Sequence, residues 1–440
     1  MPFDAKAIAT SILASKKTKT DEKKCKCKLL VKACQSGKTG EAIRDWVLEQ
    51  SQITIDSINK IRKLAIFVCD NSLLLTQQTG SRLCADEEVK GTVVTLSSKS
   101  DFKHIDKLAK SIITNKTITT IICCGNSRRF RDITELSSIL MRSTDKYNIS
   151  VYLDEADKIL GSKTSKAEIE KWRSNSCCIN TITFITATPY ESKSDNLVKQ
   201  FGDLELLYVD NITSDKYHRL SECEFIDTSE LTLSNNVEYC ADVFDKFIED
   251  GPELGDVYFI PAQHERETHD EMEKLLLAIG FNCVVKINGY KKEFTIKTGE
   301  DEIKKLPFAS YNEVSKYLGD YYTKHNGKVN WAMAITGNVC ISRGISIQSP
   351  ECFISHAIYG PFCASNYKNL YQIFARVCGN IRNFPEYIKR GPPKIYTTQK
   401  KFDTVCKMEQ FAINLSILSK SNRVKPVVLN NDTINQIFQE

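Results

Sequence analysis

Short apolar runs, rich in valine and isoleucine, recur along the chain between longer stretches with helix-like spacing. Continuous apolar runs are typical of strands buried on both faces, and their alternation with helices indicates a mostly parallel sheet wrapped by helices. Most of the runs end in a polar or glycine-containing loop, which matters because ligands of open α/β sheets bind outside the carboxyl ends of the strands. The first half predicts strands at 29–33, 65–69, 92–96, 118–124, 149–153 and 181–186.

The pattern pauses in a polar, mixed stretch beyond about residue 190 and then restarts, which predicts a second α/β domain. A chain of 440 residues exceeds what one hydrophobic core usually organises, and two domains of about 200 residues fit it well. No proline-rich or Gly/Ser-rich linker marks the join. Strands are predicted here at 256–260, 283–287, 331–335, 353–359 and 394–397. We expect a basic N-terminal segment at 1–28, a first domain at 29–210, a second at 211–420 and a tail at 421–440.

The composition is that of a globular chain, with 41% apolar, 9% aromatic and 26% charged residues. No run approaches about 20 consecutive apolar residues, so a membrane span is not expected. The N-terminus lacks the basic and apolar regions of a secretory signal, which predicts an intracellular, reducing compartment. The 17 cysteines are dispersed rather than arranged as a disulfide framework. Cys25 and Cys27 lack a second ligand pair at zinc spacing, so a structural zinc is not favoured.

The net charge of +5 is mild, so a phosphate-backbone partner would have to be held by local charge. Two basic clusters are present, and a solvated surface is an equal alternative for the first cluster and a less favoured one for the second. One cluster consists of Lys16, Lys17, Lys19, Lys23, Lys24, Lys26 and Lys28, and the other of Arg128, Arg129 and Arg131.

A loop with the parts of a phosphate-binding site follows the first predicted strand and precedes a helix-like stretch at 41–50. Phosphate binding requires backbone N–H groups at a helix N-terminus, a lysine that reaches the β- and γ-phosphates, and a hydroxyl for magnesium. Lys38 supplies the lysine, and Thr39 supplies the hydroxyl. The full pattern has a glycine where this chain has Lys32, and the remaining triplet is common by chance. The residues predicted to bind nucleotide are Gln35, Ser36, Gly37, Lys38, Thr39 and Gly40.

Two adjacent carboxylates, Asp154 and Glu155, end a later apolar strand. Neighbouring side chains on a strand point to different sides. The pair therefore predicts Asp154, together with Thr39, as the magnesium ligand and Glu155 as the group that orients or deprotonates the attacking water. The alternative is a helix N-cap followed by an acidic first turn.

Small hydroxyl residues, Thr186 and Thr188, follow the next predicted strand and are stopped by Pro189. Hydroxyls at a strand end can link the carboxylate pair to the neighbouring domain. An ordinary turn has the same composition and is the simpler interpretation of this segment taken alone.

The order of these three motifs resembles the first motor domain of superfamily 2 helicases, and the second half contains segments similar to the remaining motifs of that family. Thr336 and Gly337, with Gly344 further on, resemble motif V, which touches the nucleic-acid backbone and the nucleotide. Gln372 and Arg376 resemble motif VI, in which Arg376 would be the arginine finger. A planar, always-charged guanidinium suits the charge spread over a transferred phosphoryl group.

The chain also departs from the family pattern. Gly379 stands where a second arginine is common, with Arg382 as a substitute, and Ser346 stands where many relatives carry an aspartate. Weaker similarity to nucleic-acid-contacting motifs covers strand-end loops, for which simple loop chemistry is an equal alternative. Those predicted nucleic-acid-binding residues are Asn71, Ser72, Arg128, Arg129, Asn288, Gly289, Thr336 and Gly337.

The resemblance implies two tandem RecA-like α/β domains of the P-loop NTPase type, with mostly parallel sheets and helices on both faces. It implies an enzyme that uses ATP and Mg²⁺ to move along or unwind DNA or RNA, with a single strand running across both domains. The compact layout and the spelling of the motifs resemble divergent helicase-like proteins of large DNA viruses, for which host cytoplasm or virion would be the location. Two alternatives stay open: a translocase of the same fold that never separates strands, and a degenerate nucleic-acid-binding scaffold.

Overall fold

The computed structural model describes residues 25–52, 61–71, 73–98, 100, 102–173, 178–190, 196–232, 235–263, 265–288, 292–297, 302–308, 314–325, 332–338, 347–364, 366–420 and 426–439. Within that part the chain divides into two compact units. The first contains the described residues of Met1–Ala33, Gly37–Ile212 and Phe411–Glu440, and the second contains Cys34–Ser36 and those of Thr213–Gln410.

The first unit is built on an eight-stranded sheet in the order β16-β7-β1-β6-β5-β2-β4-β3. All neighbouring strands run parallel except β16, which pairs antiparallel with β7. The strands are β1 Lys26–Val31, β2 Ile61–Cys69, β3 Thr92–Leu96, β4 Ile118–Cys124, β5 Lys146–Asp154, β6 Ile179–Thr186, β7 Leu204–Leu206 and β16 Val428–Leu429.

Helices connect these strands, as parallel pairing requires. Those of the first unit are α1 Lys38–Ser51, α2 Leu73–Ala85, α3 Ile105–Thr114, α4 Ser127–Met141, α5 Ala156–Ile159, α6 Lys163–Arg173, α7 Leu197–Phe201 and α14 Asn431–Gln439.

Both faces of this sheet are buried, which explains why its strands are continuously apolar. Along β2, the alternate residues Leu64, Ile66 and Val68 belong to one core with α3, α4 and α6. Ala65 and Phe67 point the other way into a second core with α1. The period-two alternation of strand side chains therefore supplies both helix layers from one apolar run.

The second unit has its own eight-stranded sheet in the order β12-β11-β10-β13-β9-β14-β15-β8. Its strands are parallel except for β11 and β12, which extend one edge as an antiparallel hairpin. The strands are β8 Glu224–Asp227, β9 Val257–Pro261, β10 Cys283–Ile287, β11 Lys292–Lys297, β12 Ile303–Pro307, β13 Met333–Gly337, β14 His356–Ile358 and β15 Lys394–Thr397.

The helices of the second unit cover this sheet, and α8 and α9 pack on the face that carries Tyr258, Ile260 and Val284. The helices are α8 Asn236–Phe247, α9 Arg266–Ile279, α10 Val314–His325, α11 Tyr367–Phe374, α12 Pro385–Arg390 and α13 Gln399–Ser419, of which residues 411–419 belong to the first unit, with 3-10 turns at Leu220–Glu222 and Ala375–Val377.

The predicted fold class of two α/β domains with mostly parallel sheets and helices on both faces is confirmed by this architecture. Every predicted strand overlaps an observed one. The division of the chain differs from the expected 211–420 and 421–440 ranges, because Phe411–Glu440 belongs to the first unit. The physical reason is burial: Leu415 of α13 and Ile434 of α14 lie in the core of the first unit. None of the described helices combines the length and apolar character needed to cross a bilayer.

Candidate active site

The predicted phosphate loop joins β1 to α1, so the chain leaves a buried strand and enters a helix at Lys38. Gly37 is the N-cap of α1 and has φ 89°, a left-handed conformation that favours glycine. Gln35 also adopts a left-handed conformation, with φ 60°. Two left-handed residues in three positions give the tight turn that a strand-to-helix corner needs. The result is a loop whose backbone N–H groups and Lys38 stand at a helix N-terminus, where anions bind.

Strand order brings the predicted magnesium ligands together. Strand β6 lies between β1 and β5, and the register pairs Val31 with Thr186 and Ile185 with Asp154. The ends of these three strands therefore lie in one row at the carboxyl edge of the sheet. Across that row, the Thr39 hydroxyl donates to the Asp154 carboxylate over 3.2 Å.

The Asp154 carboxylate lies in a strongly desolvated position. Burial raises the pKa of Asp154, and the charge of Lys38 with the Thr39 hydrogen bond counteracts only part of that shift. The backbone N–H of Glu155 donates to the same carboxylate over 3.0 Å. A carboxylate that is costly to keep charged is a group that gains from a bound cation.

Glu155 has φ 52° and ψ 47°, a left-handed conformation that is uncommon for residues other than glycine. Its side chain is buried. Conformations of this kind cost about 1–3 kcal/mol and cluster at functional sites, because surrounding structure must enforce them. The turn lets the chain leave β5 and begin α5 within a single residue, which fixes the direction of the glutamate.

The Thr186 and Thr188 hydroxyls are buried and form a local network that the sequence did not identify in full. Thr186 donates to Asp157 over 2.7 Å, and the Thr188 N–H donates to the Thr186 hydroxyl over 2.9 Å. The Thr186 hydroxyl thus contacts the carboxylate of Asp157, on the first turn of α5. The feature of the sequence that could have identified Asp157 is its position three residues after Asp154.

Lys32 occupies the place of the missing glycine and is a buried structural residue. Its ammonium donates to Glu41 of α1 over 3.1 Å, and both side chains are almost fully buried. Burial lowers the pKa of Lys32, and the Glu41 carboxylate opposes that shift. Arg44 also contacts Glu41, over 3.2 Å. The ion pair between Lys32, which follows β1, and Glu41 of α1 therefore holds the two ends of the phosphate loop together.

Two strand-end loops predicted to contact nucleic acid meet at the same edge of the sheet. Asn126, after β4, donates through its amide to the Asn71 side chain, after β2, over 3.2 Å. Arg128 is exposed at the start of α4. Arg129, by contrast, is buried and paired with Asp132 over 2.7 Å. This placement makes Arg128 accessible to a ligand and gives Arg129 a structural partner.

Gln372 and Arg376 both lie in the second unit, on α11 and the 3-10 turn that follows it, and both are buried. The Tyr359 hydroxyl donates to the Phe374 carbonyl over 3.0 Å, and the Tyr359 ring stacks on the Phe374 ring. These two contacts fix the end of α11. Gln348 donates to the Arg376 carbonyl over 2.8 Å.

The other predicted residues of the second unit cluster at the carboxyl ends of β10 and β13. Asn288 is buried after β10, and Thr336 is buried near the end of β13 with a hydroxyl that has no hydrogen-bond partner among the described residues. Gly337 adopts φ 154°. Three predicted residues, Ser72, Gly289 and Gly344, lie outside the described residues.

Magnesium, the predicted metal, fits the oxygen pair of Thr39 and Asp154, because Mg²⁺ prefers hydroxyl and carboxylate ligands and usually keeps several waters. In the described part of the chain, no group of three or more His, Cys, Asp or Glu side chains could hold a metal on its own. A site with one protein carboxylate would therefore depend on nucleotide phosphates for further ligands.

No protein-family model matches the chain, and no curated protein matches it. Three solved structures resemble it at low identity. S. cerevisiae Dbp5 bound to RNA and ADP BeF3 is 12% identical, with 94% of this chain and 89% of that chain covered and a TM-score of 0.45. The DEAD-box helicase Mss116 bound to ssRNA and UDP-BeF is 13% identical, covering 90% and 69%, with a TM-score of 0.43. The DUF1998 helicase MrfA bound to DNA and AMPPNP is 12% identical, covering 93% and 50%, with a TM-score of 0.47.

Proposed function

We propose that the protein is a nucleic-acid-dependent ATPase of superfamily 2, which couples ATP hydrolysis to movement on, or unwinding of, DNA or RNA. The observation that carries this proposal is the contact between the Thr39 hydroxyl and the Asp154 carboxylate, 3.2 Å apart beside a glycine-capped helix N-terminus that begins at Lys38. A hydroxyl, a carboxylate and a lysine in this arrangement match the needs of a magnesium–nucleotide complex.

Each residue of the site then has one task. Lys38 and the N–H groups of the loop bind phosphate oxygens, and Thr39 and Asp154 would hold Mg²⁺, whose charge neutralises the phosphates when it is bound. Glu155, directed by its left-handed backbone, orients water for attack and accepts its proton. Gln372 and Arg376 keep the roles that the family resemblance implies, contacting the γ-phosphate and stabilising its developing charge.

Nucleic acid is the proposed partner because polar strand-end loops lie at the carboxyl edge of the first sheet. The joined Asn71 and Asn126 side chains and the exposed Arg128 offer donors to backbone phosphates. Since such binding releases counterions, affinity should fall steeply as salt concentration rises.

ATP turnover measured without nucleic acid and with single-stranded DNA, duplex DNA and RNA tests this function. We expect stimulation by at least one polymer, with the most effective one identifying the partner class. A strand-displacement assay on that polymer separates a helicase from a translocase, since a translocase keeps stimulated hydrolysis without displacement. Binding of nucleic acid without any ATP turnover would instead favour the degenerate scaffold.

The intracellular location and the resemblance to viral helicase-like proteins remain predictions from the sequence.

A further inference from the structure

A cavity of about 210 Å³ lies at the amino edge of the first sheet, where β2, β4 and β5 begin. Strand β5 runs from this cavity, at Tyr147, to the proposed active site, at Asp154. Seven residues of extended strand span roughly 23 Å, at about 3.3 Å per residue. The cavity is therefore a separate place from the proposed nucleotide site, on the opposite edge of the same sheet.

The cavity has an apolar floor and a basic rim. Leu64, Ile118 and the Tyr147 ring form buried parts of the floor. The residues that give the rim its positive charge are Arg62, Lys63, Lys90 and Lys116. The carboxylate of Asp145 contacts Arg62 over 3.1 Å and Lys116 over 3.8 Å, and the charge of Glu49 acts on Lys63, so positive charges still outnumber negative ones among the described residues of the rim.

Local hydrogen bonds hold the rim in place. The Gln50 amide donates to the Lys90 carbonyl over 2.8 Å and accepts from the Lys90 N–H over 3.0 Å. The Thr119 hydroxyl also donates to the Lys90 carbonyl, over 2.6 Å. Gly91 follows with φ 89°, and an added Cβ there would collide with Thr119. Lys63 is anchored too, donating to the Glu49 carbonyl over 2.7 Å. A rim that is held in place by these hydrogen bonds is preorganised for a ligand.

The Tyr147 hydroxyl is the feature that indicates a ligand. The residue is 9% exposed, and its buried hydroxyl makes no well-aligned hydrogen bond among the described residues, although the Arg62 guanidinium lies close enough to interact with it. The Arg62 guanidinium lies 5.9 Å from the centre of the tyrosine ring. An unsatisfied buried hydroxyl costs about 1–3 kcal/mol, so native structures seldom retain one without a reason. Burial raises the pKa of Tyr147, which keeps this group a proton donor at neutral pH.

We propose that this cavity binds a small organic phosphate, with the phosphate group at the basic rim and against the Tyr147 hydroxyl, and the uncharged part on the apolar floor. Phosphate oxygens accept strong, charge-assisted hydrogen bonds from arginine and lysine. Ligand pockets commonly measure about 300–1,000 Å³, so this smaller cavity suits a single nucleotide or the terminal nucleotide of a strand.

The test is lysine footprinting on the full chain carrying Lys38→Ala, which weakens the proposed nucleotide site. Lysines are acetylated with and without adenosine 5′-monophosphate, and modification is read by mass spectrometry. We expect protection of Lys90 and Lys116 but not of Lys110, an exposed lysine of α3. A matched pair of oligonucleotides, with and without a 5′-phosphate, tests whether the terminal nucleotide of a strand supplies the phosphate instead. Protection by the phosphorylated strand alone would assign the cavity to strand ends.

Calorimetry on matched variants then tests the site chemistry. Lys116→Glu reverses one rim charge and should weaken binding about tenfold or more, whereas Lys110→Glu should not. Tyr147→Phe should weaken binding about fivefold while the thermal unfolding midpoint stays the same or rises, because the deleted hydroxyl makes no well-aligned hydrogen bond among the described residues.

Equal protection of Lys110, protection by adenosine as strong as by its monophosphate, or unaltered affinity in Tyr147→Phe would overturn the proposal. Because none of these measurements involves ATP turnover, their failure is distinguishable from failure of the proposed ATPase function.

Discussion

The two edges of the first sheet use charged groups in opposite ways. At the carboxyl edge, polar side chains contact one another: Thr39 with Asp154, and Thr186 with Asp157. At the amino edge, basic side chains surround a cavity, and a buried hydroxyl makes no well-aligned hydrogen bond among the described residues. Closed networks fix geometry, as catalysis requires, while open groups indicate a place for a ligand. The difference teaches that the proposed active site is defined by satisfied contacts, and the proposed cavity site by a hydroxyl that lacks a well-aligned hydrogen bond.

Glu155→Gln should produce the largest effect and tests whether the carboxyl edge is catalytic. The substitution keeps the size of the side chain but removes the proton acceptor, so ATP turnover should fall about 100-fold or more. Nucleotide binding should persist. Glu170→Gln, on the exposed side of α6, is the control and should turn over ATP at the parental rate. Equal rates in all three proteins would remove Glu155 from the mechanism.

Lys32→Ala tests whether the ion pair between Lys32 and Glu41 stabilises the phosphate loop. It leaves Glu41 buried with only the half-exposed Arg44 as a partner, which should lower the free energy of unfolding of the first unit by about 3 kcal/mol. Chemical denaturation measures this. Replacing both partners, as Lys32→Met with Glu41→Leu, should recover much of the loss because no charge stays buried. A fully stable Lys32→Ala protein would show that the ion pair does not clamp the loop.

Thr186→Val tests whether the buried hydroxyl network couples hydrolysis to movement. Loss of the hydrogen bond to Asp157 should cost about 1–2 kcal/mol and reduce nucleic-acid stimulation more than basal ATP turnover. Thr183→Val, on the same strand, is a matched control because its buried hydroxyl has no hydrogen-bond partner among the described residues. That control should keep its stability. Identical losses in the two variants would contradict a specific role for Thr186.

Asp154→Asn should have the smallest effect on stability and the opposite sign. The pKa of Asp154 is raised by burial, so the folded chain binds this proton more tightly than the unfolded chain. The stabilisation that protonated Asp154 gives the folded chain is therefore fully present below the ordinary carboxyl pKa of about 3.9. It is lost as the pH rises through the raised pKa of Asp154 in the folded chain. At neutral pH, asparagine should stabilise the first unit by about 1 kcal/mol while magnesium-dependent hydrolysis is lost. A destabilised variant would mean that the charged carboxylate is already well compensated.

The sequence predicted the parts of the fold that depend on long buried strands. Strands such as Ile118–Cys124 and Cys283–Ile287 are continuous apolar runs, and their bounds were predicted without error. The short strands β7 and β16, at one end of the first sheet, were missed because two or three residues give no usable pattern. The hairpin of β11 and β12 was missed because charged and polar residues separate its few apolar ones, which is typical of an exposed edge rather than a buried strand.

The sequence allowed us to predict which side chains lie near one another at the carboxyl edge, but not the partner of each side chain. The carboxyl ends of parallel strands share one edge, so the proximity of Thr39 and Asp154 followed from strand order. The ion pair of Lys32 and the burial of Arg129 could not be predicted, because each depends on which side chain the packing brings opposite. The same holds for the buried hydroxyl of Tyr147, which is defined only by what surrounds it.

ATP turnover of the Lys38→Ala protein, measured beside the parent and Lys110→Ala with the most stimulating nucleic acid, tests the central claim most directly. If Lys38 binds the phosphates of ATP, turnover should fall about 100-fold or more in Lys38→Ala and stay at the parental rate in Lys110→Ala. Turnover that is equal in all three proteins, or absent from the parent with every nucleic acid, would contradict the assignment of this edge of the sheet as an ATPase site.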